Sequence, residues 1–226
     1  HAKTFERLCM GQLHETLPRP AGTDPVDHYI QVLADKTGSL IAVSARYGAM
    51  LTRAGAATEG VVEEFGEKIG VAFQLADDVI DLAGDSETTG KTPGTDLREG
   101  VDTMPVLLLR KALAAGELDA AGQAILSRLS TGNLADDAVL ADVVARLRLH
   151  PVLARTREMA MTWAREAVGA LAGLEDAVLA GTRERLDAAG AGGAEREAAL
   201  ADAARRVALV REGMEQFARL LVDRAS

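Results

Sequence analysis

The feature that most constrains the fold is a long apolar run with helical spacing that nevertheless carries three carboxylates. The run extends from Glu59 to Leu82, and its second half, residues 70–81, reads GVAFQLADDVID. The apolar residues recur at intervals of three and four, which predicts one long helix with a buried face. Charge beside a core is costly unless something pairs with it. The natural partner for such a cluster is a hard divalent cation.

The polar residues of this run fall on one side of the predicted helix. With about 100° per residue and Asp77 at the origin, Asp81 lies at about 40°. Gln74 and Asp78 lie at about 60° and about 100°, and the apolar residues fill the opposite arc. Two carboxylates one turn apart repel each other, and a bound Mg²⁺ reverses that effect. The pattern alone is equally typical of a solvated acidic face on a surface helix.

The segment after the helix supplies cations. Residues 83–100 contain four glycines and one proline, which predicts a loop, and the loop contains Lys91 and Arg98. Carboxylates that hold a metal and a lysine that binds phosphate oxygens together form a diphosphate site. Taken alone, the segment is better explained as an ordinary polar surface loop. The combination with the acidic helix is what favours a site.

Together these patterns resemble the trans-isoprenyl diphosphate synthases, or polyprenyl synthetases. The resemblance rests on residues 73–81 (FQLADDVID), which are similar to the second aspartate-rich motif of that family, and on residues 90–100 (GKTPGTDLREG), which are similar to its lysine-containing loop. Upstream, residues 11–13 (GQL) and 35–40 (DKTGSL) resemble two further signatures in the right order. The similarity covers residues 1 to about 165.

The resemblance implies an all-α fold, an isoprenoid synthase-type helical bundle around a central cavity, with its N-terminal helices missing from this chain. We expect residues 1–226 to form a single helical domain with an extra C-terminal helix at about residues 174–193. The implied activity is Mg²⁺-dependent prenyl transfer, in which isopentenyl diphosphate and an allylic diphosphate give a longer linear isoprenoid diphosphate. A homodimer is expected by the same resemblance.

The resemblance also assigns the metal ligands by position. Asp77 is expected to ligate Mg²⁺ directly. Asp78 and Asp81 are expected to ligate the metal or to orient its waters.

Four further residues are expected to be catalytic and to bind substrate. By resemblance, Lys36 and Lys91 contact the allylic diphosphate and stabilise charge on the leaving group. Thr37 and Gln74 lie beside the reacting carbons, where their oxygens stabilise the carbocation. Cations belong where the diphosphate leaves, and the carbocation requires a dry apolar cavity nearby.

The chain departs from the family pattern in three places. Only ten residues precede Gly11, so the first aspartate-rich motif has no counterpart, and the Asp136-Asp137 pair is expected at the surface. Val101 stands where many members have lysine, which removes one expected diphosphate contact. The part after Leu171 is longer than expected.

The missing motif leaves alternatives. We expect the chain to be the C-terminal part of a longer protein. The alternative is a separate non-catalytic or regulatory subunit of a heteromeric prenyl diphosphate synthase. A class I terpene cyclase is a third hypothesis, but its second metal motif normally mixes Asn, Ser or Thr with Glu.

Composition excludes other classes of function. The net charge of −9 argues against a nucleic-acid-binding surface. The sequence contains no uninterrupted apolar run of about 18 residues, so it predicts no transmembrane helix. The single cysteine, Cys9, cannot form an internal disulfide, and a cytoplasmic location is the default expectation.

Overall fold

The computed structural model of the chain describes residues 2–84 and 92–224, and in these ranges all regular structure is helical. The α-helices, in chain order, are α1 (Ala2–Thr16), α2 (Pro25–Leu33), α3 (Ser39–Leu51), α4 (Ala56–Ala83), α5 (Thr95–Arg98), α6 (Met104–Ala115), α7 (Ala120–Thr131), α8 (Asp137–Leu149), α9 (Pro151–Ala170), α10 (Leu174–Ala189) and α11 (Gly193–Asp223). A π-helical segment, Ala34–Gly38, joins α2 to α3, and a 3-10 turn, Leu171–Gly173, joins α9 to α10. The all-α prediction is confirmed.

Helix α4 forms the centre of the bundle. Its side chains Ile69, Leu75 and Val79 are 0 % exposed. It packs along α3 on one side and along α9 on another. The same hydrophobic core continues into the helices from α6 to α11. The apolar face predicted from the sequence is therefore the buried face, and α4 is held from several directions.

Helix α2 begins as its sequence predicts. The Asp24 side chain accepts hydrogen bonds from the backbone N–H of Val26 at 2.8 Å and of Asp27 at 3.2 Å. Pro25 occupies the first helical position, where its missing N–H costs nothing. These contacts satisfy donors that the first turn of a helix leaves unpaired.

Helix α4 begins three residues earlier than the predicted run, which starts at Glu59. Thr58, just before that run, has a residue type that often caps helices, but the helix starts at Ala56, after Gly55 with φ of 98°. Thr58 is buried within the first turn, and its hydroxyl donates to the carbonyl of Ala54 at 3.1 Å. Glycine adopts a positive φ without steric cost, and it therefore sets the start of the helix in place of a side-chain cap.

The sequence predicts one helix from Pro25 to Arg53, and the structure interrupts it with the π-helical segment. The N–H of Ser39 donates to the carbonyl of Ala34, five residues back, as a π turn requires. The carbonyl of Asp35, which an α turn would pair with that N–H, instead accepts from the Ser39 hydroxyl at 2.7 Å. The buried serine therefore compensates for the wider turn.

The π-helical segment touches the backbone of two other helices. A Cβ built on Gly70 of α4 would lie 2.5 Å from the Cα of Gly38. One built on Gly11 of α1 would lie 2.9 Å from the backbone nitrogen of Lys36. Real Cβ atoms do not approach so closely, so these glycines are required for the packing. Gly38 thus marks a close approach between backbones at a π turn.

The C-terminal helices form a hairpin across the glycine-rich break. Helix α10 ends at Ala189 and is followed by Gly190, which has φ of 68°, and α11 begins at Gly193. That α10 is an addition to the family pattern, and that the chain is a single domain, stay predictions. Within the described ranges, no helix combines the length and apolar character of a membrane-crossing segment.

Candidate functional site

The acidic end of α4 and the segment that follows it enclose a small pocket. Asp77 is exposed and Asp81 is partly buried. Both line a pocket of about 130 Å³ together with Asp96 of α5. The segment folds back on the helix end, because the N–H of Gly94 donates to the Asp81 carbonyl at 2.9 Å and the N–H of Thr95 donates to Asp81 Oδ1 at 3.2 Å. Three carboxylates therefore share one pocket.

The electrostatics of this pocket favour a bound cation. Partial burial raises the pKa of Asp81 to about 6, and the negative charges of Asp96 and, to a smaller degree, Asp77 act in the same direction. Hydrogen bonds from the backbone N–H groups of Thr95 and Asp96 oppose that shift. A divalent cation between the carboxylates would relieve the repulsion among them.

The donor set fits Mg²⁺. In the described part of the chain, no group of three or more His, Cys, Asp or Glu side chains is arranged to hold a metal by itself. Mg²⁺ is usually held by one or two carboxylates, with waters and substrate phosphates completing its octahedron. Asp77 and Asp81, one helical turn apart at the mouth of the pocket, are such a pair.

Asp78 lies apart from this pocket. It is 4 % exposed. Its Oδ2 accepts from the backbone N–H of Met104 at 3.0 Å, and the Tyr29 hydroxyl lies 3.1 Å from Oδ1 and 3.2 Å from Oδ2. Burial raises the pKa of Asp78 to about 8, and these hydrogen bonds oppose the shift. Both of its oxygens therefore accept hydrogen bonds inside the protein, and the expectation that Asp78 ligates the metal or orients its waters stays a prediction.

Tyr29 of α2 forms a hydrogen bond with Asp78 of the acidic helix. Burial raises the pKa of its phenol, and the charge of Asp78 is the next cause, followed by Asp96 and Glu15. The hydroxyl therefore stays protonated and donates to Asp78. Because Asp78 also binds the first residue of α6, this contact fastens α2, α4 and α6 together.

Lys36 and Thr37 lie on the π-helical segment. Lys36 Nζ donates to Glu15 of α1, at 2.9 Å from Oε1 and 2.8 Å from Oε2. The segment crosses α4 at Gly70, one turn before Gln74. The structure therefore brings the stretch that carries Lys36 and Thr37 against the helix that carries Gln74. A diphosphate that binds Lys36 has to compete with Glu15.

Arg7 holds the π-helical segment from the other side. Its Nε lies 2.8 Å from Asp35 Oδ1, and its two Nη atoms each lie 3.0 Å from an oxygen of Glu67. One guanidinium thus joins α1, the residue beside Lys36 and α4. The sequence analysis missed Arg7 and Asp96, because neither pattern nor spacing reveals contacts between distant segments. Asp96 could have been noticed as a further carboxylate inside the loop motif.

Lys91 lies outside the described residues. Val101 lines a cleft of about 620 Å³ between the end of α1, the start of α2 and α6, and Tyr29 lines it as well.

Comparisons with known proteins agree with this architecture. The family model described as polyprenyl synthetase matches residues 1–138. Nonaprenyl diphosphate synthase of Mycobacterium tuberculosis is 39% identical over 177 residues, which are 77% of this chain and 50% of that protein. Heptaprenyl diphosphate synthase component 2 of Geobacillus stearothermophilus is 31% identical over 176 residues, which are 76% of this chain and 51% of that protein.

The fold has solved counterparts. The crystal structure of geranylgeranyl pyrophosphate synthase from Corynebacterium glutamicum, complexed with calcium and isoprenyl diphosphate, superposes with a TM-score of 0.68 at 30% identity. The superposition covers 100% of this chain and 58% of that one. The chain thus spans about half the length of the curated relatives described above.

Proposed function

Since this chain belongs to the polyprenyl synthetase family, we propose that the complete protein is a Mg²⁺-dependent prenyl transferase. It condenses isopentenyl diphosphate with an allylic diphosphate and releases inorganic diphosphate from the allylic partner. The observation that carries the proposal is the pocket in which Asp77, Asp81 and Asp96 meet at the end of α4. The calcium and isoprenyl diphosphate named for the Corynebacterium glutamicum structure support it.

The acidic pocket is the proposed Mg²⁺ site. Asp77 and Asp81 hold the ion, and Asp96 adds negative charge beside them. When bound, Mg²⁺ supplies electrostatic stabilisation of the departing diphosphate. Asp78 supports the site from the core, where it fixes the helix end to its neighbours.

The remaining predicted residues act on the substrate. Lys36, released from Glu15, binds the allylic diphosphate and stabilises the negative charge that develops when the carbon–oxygen bond breaks. Lys91 is proposed for the same role. Thr37 and Gln74 direct oxygens to the allylic cation, which the double bond of isopentenyl diphosphate then attacks. Loss of a proton from the resulting cation restores a double bond and completes the longer chain.

The test is a product assay on the complete protein. Isopentenyl diphosphate, Mg²⁺ and one of three allylic primers (dimethylallyl, geranyl or farnesyl diphosphate) are incubated, and products are identified by mass spectrometry. Asp77→Ala and Asp81→Ala should each lower kcat by about 10²-fold or more, because electrostatic stabilisation of the leaving group is the main catalytic contribution. The matched control is Glu166→Ala, an exposed acid on α9 that should leave kcat unchanged. No elongated product with any primer would refute the proposal.

A second candidate is a subunit of a heteromeric synthase. It is favoured by one relative, which is named as component 2 of a heptaprenyl diphosphate synthase. The same assay separates the two functions, because a homodimeric enzyme in the cytoplasm, as we propose, is active alone. Activity that appears only after a second polypeptide is added would favour the heteromer.

A further inference from the structure

Helix α8 contacts the end of α4 through Arg148. The Nε of Arg148 donates to the carbonyl of Leu82 at 2.5 Å, and its Nη2 donates to the carbonyl of Gly84 at 2.8 Å. The last carbonyls of a helix have no partner within the helix. Here the Asp81 carbonyl accepts a hydrogen bond from the N–H of Gly94 at 2.9 Å, and the guanidinium donates to the carbonyls of Leu82 and Gly84 that follow. Arg148 therefore caps the acidic helix from another element.

The same face of α8 contacts the segment that carries Asp96. Arg98 Nη2 lies 2.5 Å from Oδ1 of Asp137, the first residue of α8. Residues 137, 140, 144 and 148 are spaced by three or four, so they share one helix face.

Between these two polar contacts, α8 meets the segment backbone. Gly94 has φ of 80°, and a Cβ there would lie 2.6 Å from Val144 Cγ2 and 3.1 Å from Leu140 Cδ1. Gly94 is also the residue whose N–H binds the Asp81 carbonyl. The face of α8 thus supports both sides of the acidic pocket.

We propose that α8 is a brace for the metal site, in which Arg148 and Asp137 are positioning residues. They hold the carboxylates of Asp81 and Asp96 at a fixed separation and so set the affinity for the divalent cation. The proposal rests on the function proposed above and extends it to residues outside the family motifs. Arg148 acts through the backbone at Leu82 and Gly84.

The fork of the guanidinium distinguishes positioning from a simple charge effect. Lysine keeps the positive charge but cannot hold two carbonyls in a fixed fork. A brace therefore predicts that Arg148→Lys and Arg148→Met both weaken cation binding. A charge effect predicts the reverse for Arg148→Met, because a cation near the site repels Mg²⁺.

The experiment uses the complete protein and two readouts. Electron paramagnetic resonance measures the binding of Mn²⁺ in the presence of inorganic pyrophosphate, and the product assay gives the Mg²⁺ concentration for half-maximal activity. Both Arg148 variants should weaken Mn²⁺ binding by about tenfold, the scale at which loss of a supporting contact lowers metal affinity. Arg146→Lys and Arg146→Met are the matched controls, since Arg146 lies on the same helix and pairs with Asp142 at 3.0 Å.

Asp137→Asn is a milder variant that keeps the test decisive if the Arg148 variants do not fold. The Arg98–Asp137 pair is largely exposed, so its loss should weaken Mn²⁺ binding by about two- to threefold without unfolding the protein. If Arg148 variants cannot be purified, an unchanged Mn²⁺ affinity in Asp137→Asn overturns the brace.

The remaining outcomes are equally informative. Folded Arg148 variants with reduced melting temperature but unchanged Mn²⁺ affinity would show a structural role alone and overturn the proposal. Tighter Mn²⁺ binding in Arg148→Met would also overturn it. A protein that binds Mn²⁺ with pyrophosphate but makes no elongated product would refute the proposed reaction, and the variant affinities would still decide the brace. A protein that binds no Mn²⁺ would overturn both.

Discussion

Asp77 and Asp78 are adjacent in the sequence and have opposite environments. Asp77 is exposed at the mouth of the acidic pocket, whereas Asp78 is 4 % exposed and accepts hydrogen bonds from Met104 and Tyr29. Successive residues of a helix differ by about 100° in direction, so a pair at the edge of the polar face divides between solvent and core. The two carboxylates therefore have different roles, one toward the ligand and one toward the fold.

The different environments of Asp77 and Asp78 predict that replacing each one has a different effect on the free energy of unfolding. Asp78→Ala should lower the free energy of unfolding by about 2–3 kcal/mol, because the buried Met104 N–H and the Tyr29 hydroxyl lose their acceptor. The matched control, Asp77→Ala, should change it by less than about 0.5 kcal/mol, as is usual for an exposed site. Urea denaturation of both variants in EDTA measures the difference. Equal losses in the two variants would contradict the assignment of Asp78 to the core.

At the scale of single residues, the sequence predicted the relative positions of Asp77 and Asp81 better than the burial of Asp78. Helical spacing correctly placed Asp77 and Asp81 beside each other at the end of α4. It could not show that α2 and α6 cover Asp78, because those contacts depend on tertiary packing. For the same reason no local pattern indicated Arg7 or Arg148.

Among the elements, the π-helical segment is the one that most depends on its neighbours. It lies between α1 and α4, and the contact of Gly38 with Gly70 leaves no room for a side chain. Ridges of ordinary side chains would keep two helices about 8–10 Å apart, so the glycines permit a closer approach. Lys36 and Thr37 are thereby held near α4.

A substitution at this contact should therefore destabilise the protein. Gly70→Ala would place a Cβ 2.5 Å from the Gly38 Cα, so the backbones must separate. The expected loss of unfolding free energy is about 1–3 kcal/mol, as for other overpacked sites. Thermal and urea denaturation measure it.

Gly60→Ala is the control on the same helix. It has nothing within 4 Å of the added Cβ, and it should stabilise the protein by about 0.5–1 kcal/mol through helix propensity alone. A stabilising Gly70→Ala would show that the two backbones lie further apart than described.

Prediction of the elements succeeded where the apolar pattern is long. The spacing predicted α4 to within a few residues, because the apolar run from Glu59 to Leu82 lies inside the helix Ala56–Ala83. Helix α5, Thr95–Arg98, was missed because four residues are too few to show a period. The π turn was missed because its signature is a hydrogen bond from Ser39 to Ala34, which leaves no trace in hydrophobic spacing.

In the whole molecule, the C-terminal hairpin of α10 and α11 packs against the turn between α3 and α4. A Cβ on Gly181 of α10 would lie 2.4 Å from the Ala54 carbonyl oxygen. The Arg185 guanidinium donates to the carbonyl of Arg53, whose φ of 54° is unusual for a residue other than glycine. The hairpin therefore contacts the backbone of the turn that precedes the central helix.

Gly181→Ala should weaken the contact between the hairpin and the turn before α4. The added methyl group collides with backbone, and we expect a loss of about 1–3 kcal/mol in unfolding free energy. Hydrogen exchange should show faster exchange in α10 and α11 than in α4, because local opening precedes global unfolding.

The control is Gly169→Ala on α9, which has nothing within 4 Å of the added Cβ. It should leave the exchange pattern unchanged. Uniformly faster exchange throughout the Gly181→Ala protein would show that the hairpin does not open separately.

The single extra residue of the π turn sets the rotation of α2 about its own axis. A π turn closes over one residue more than an α turn, so α2 is rotated by about 100° relative to the course that an uninterrupted helix would take. Deletion of one codon within Ala34–Gly38 would keep every residue of α2 but would turn Tyr29 away from Asp78. Insertions and deletions in this short stretch are therefore far less tolerable than substitutions.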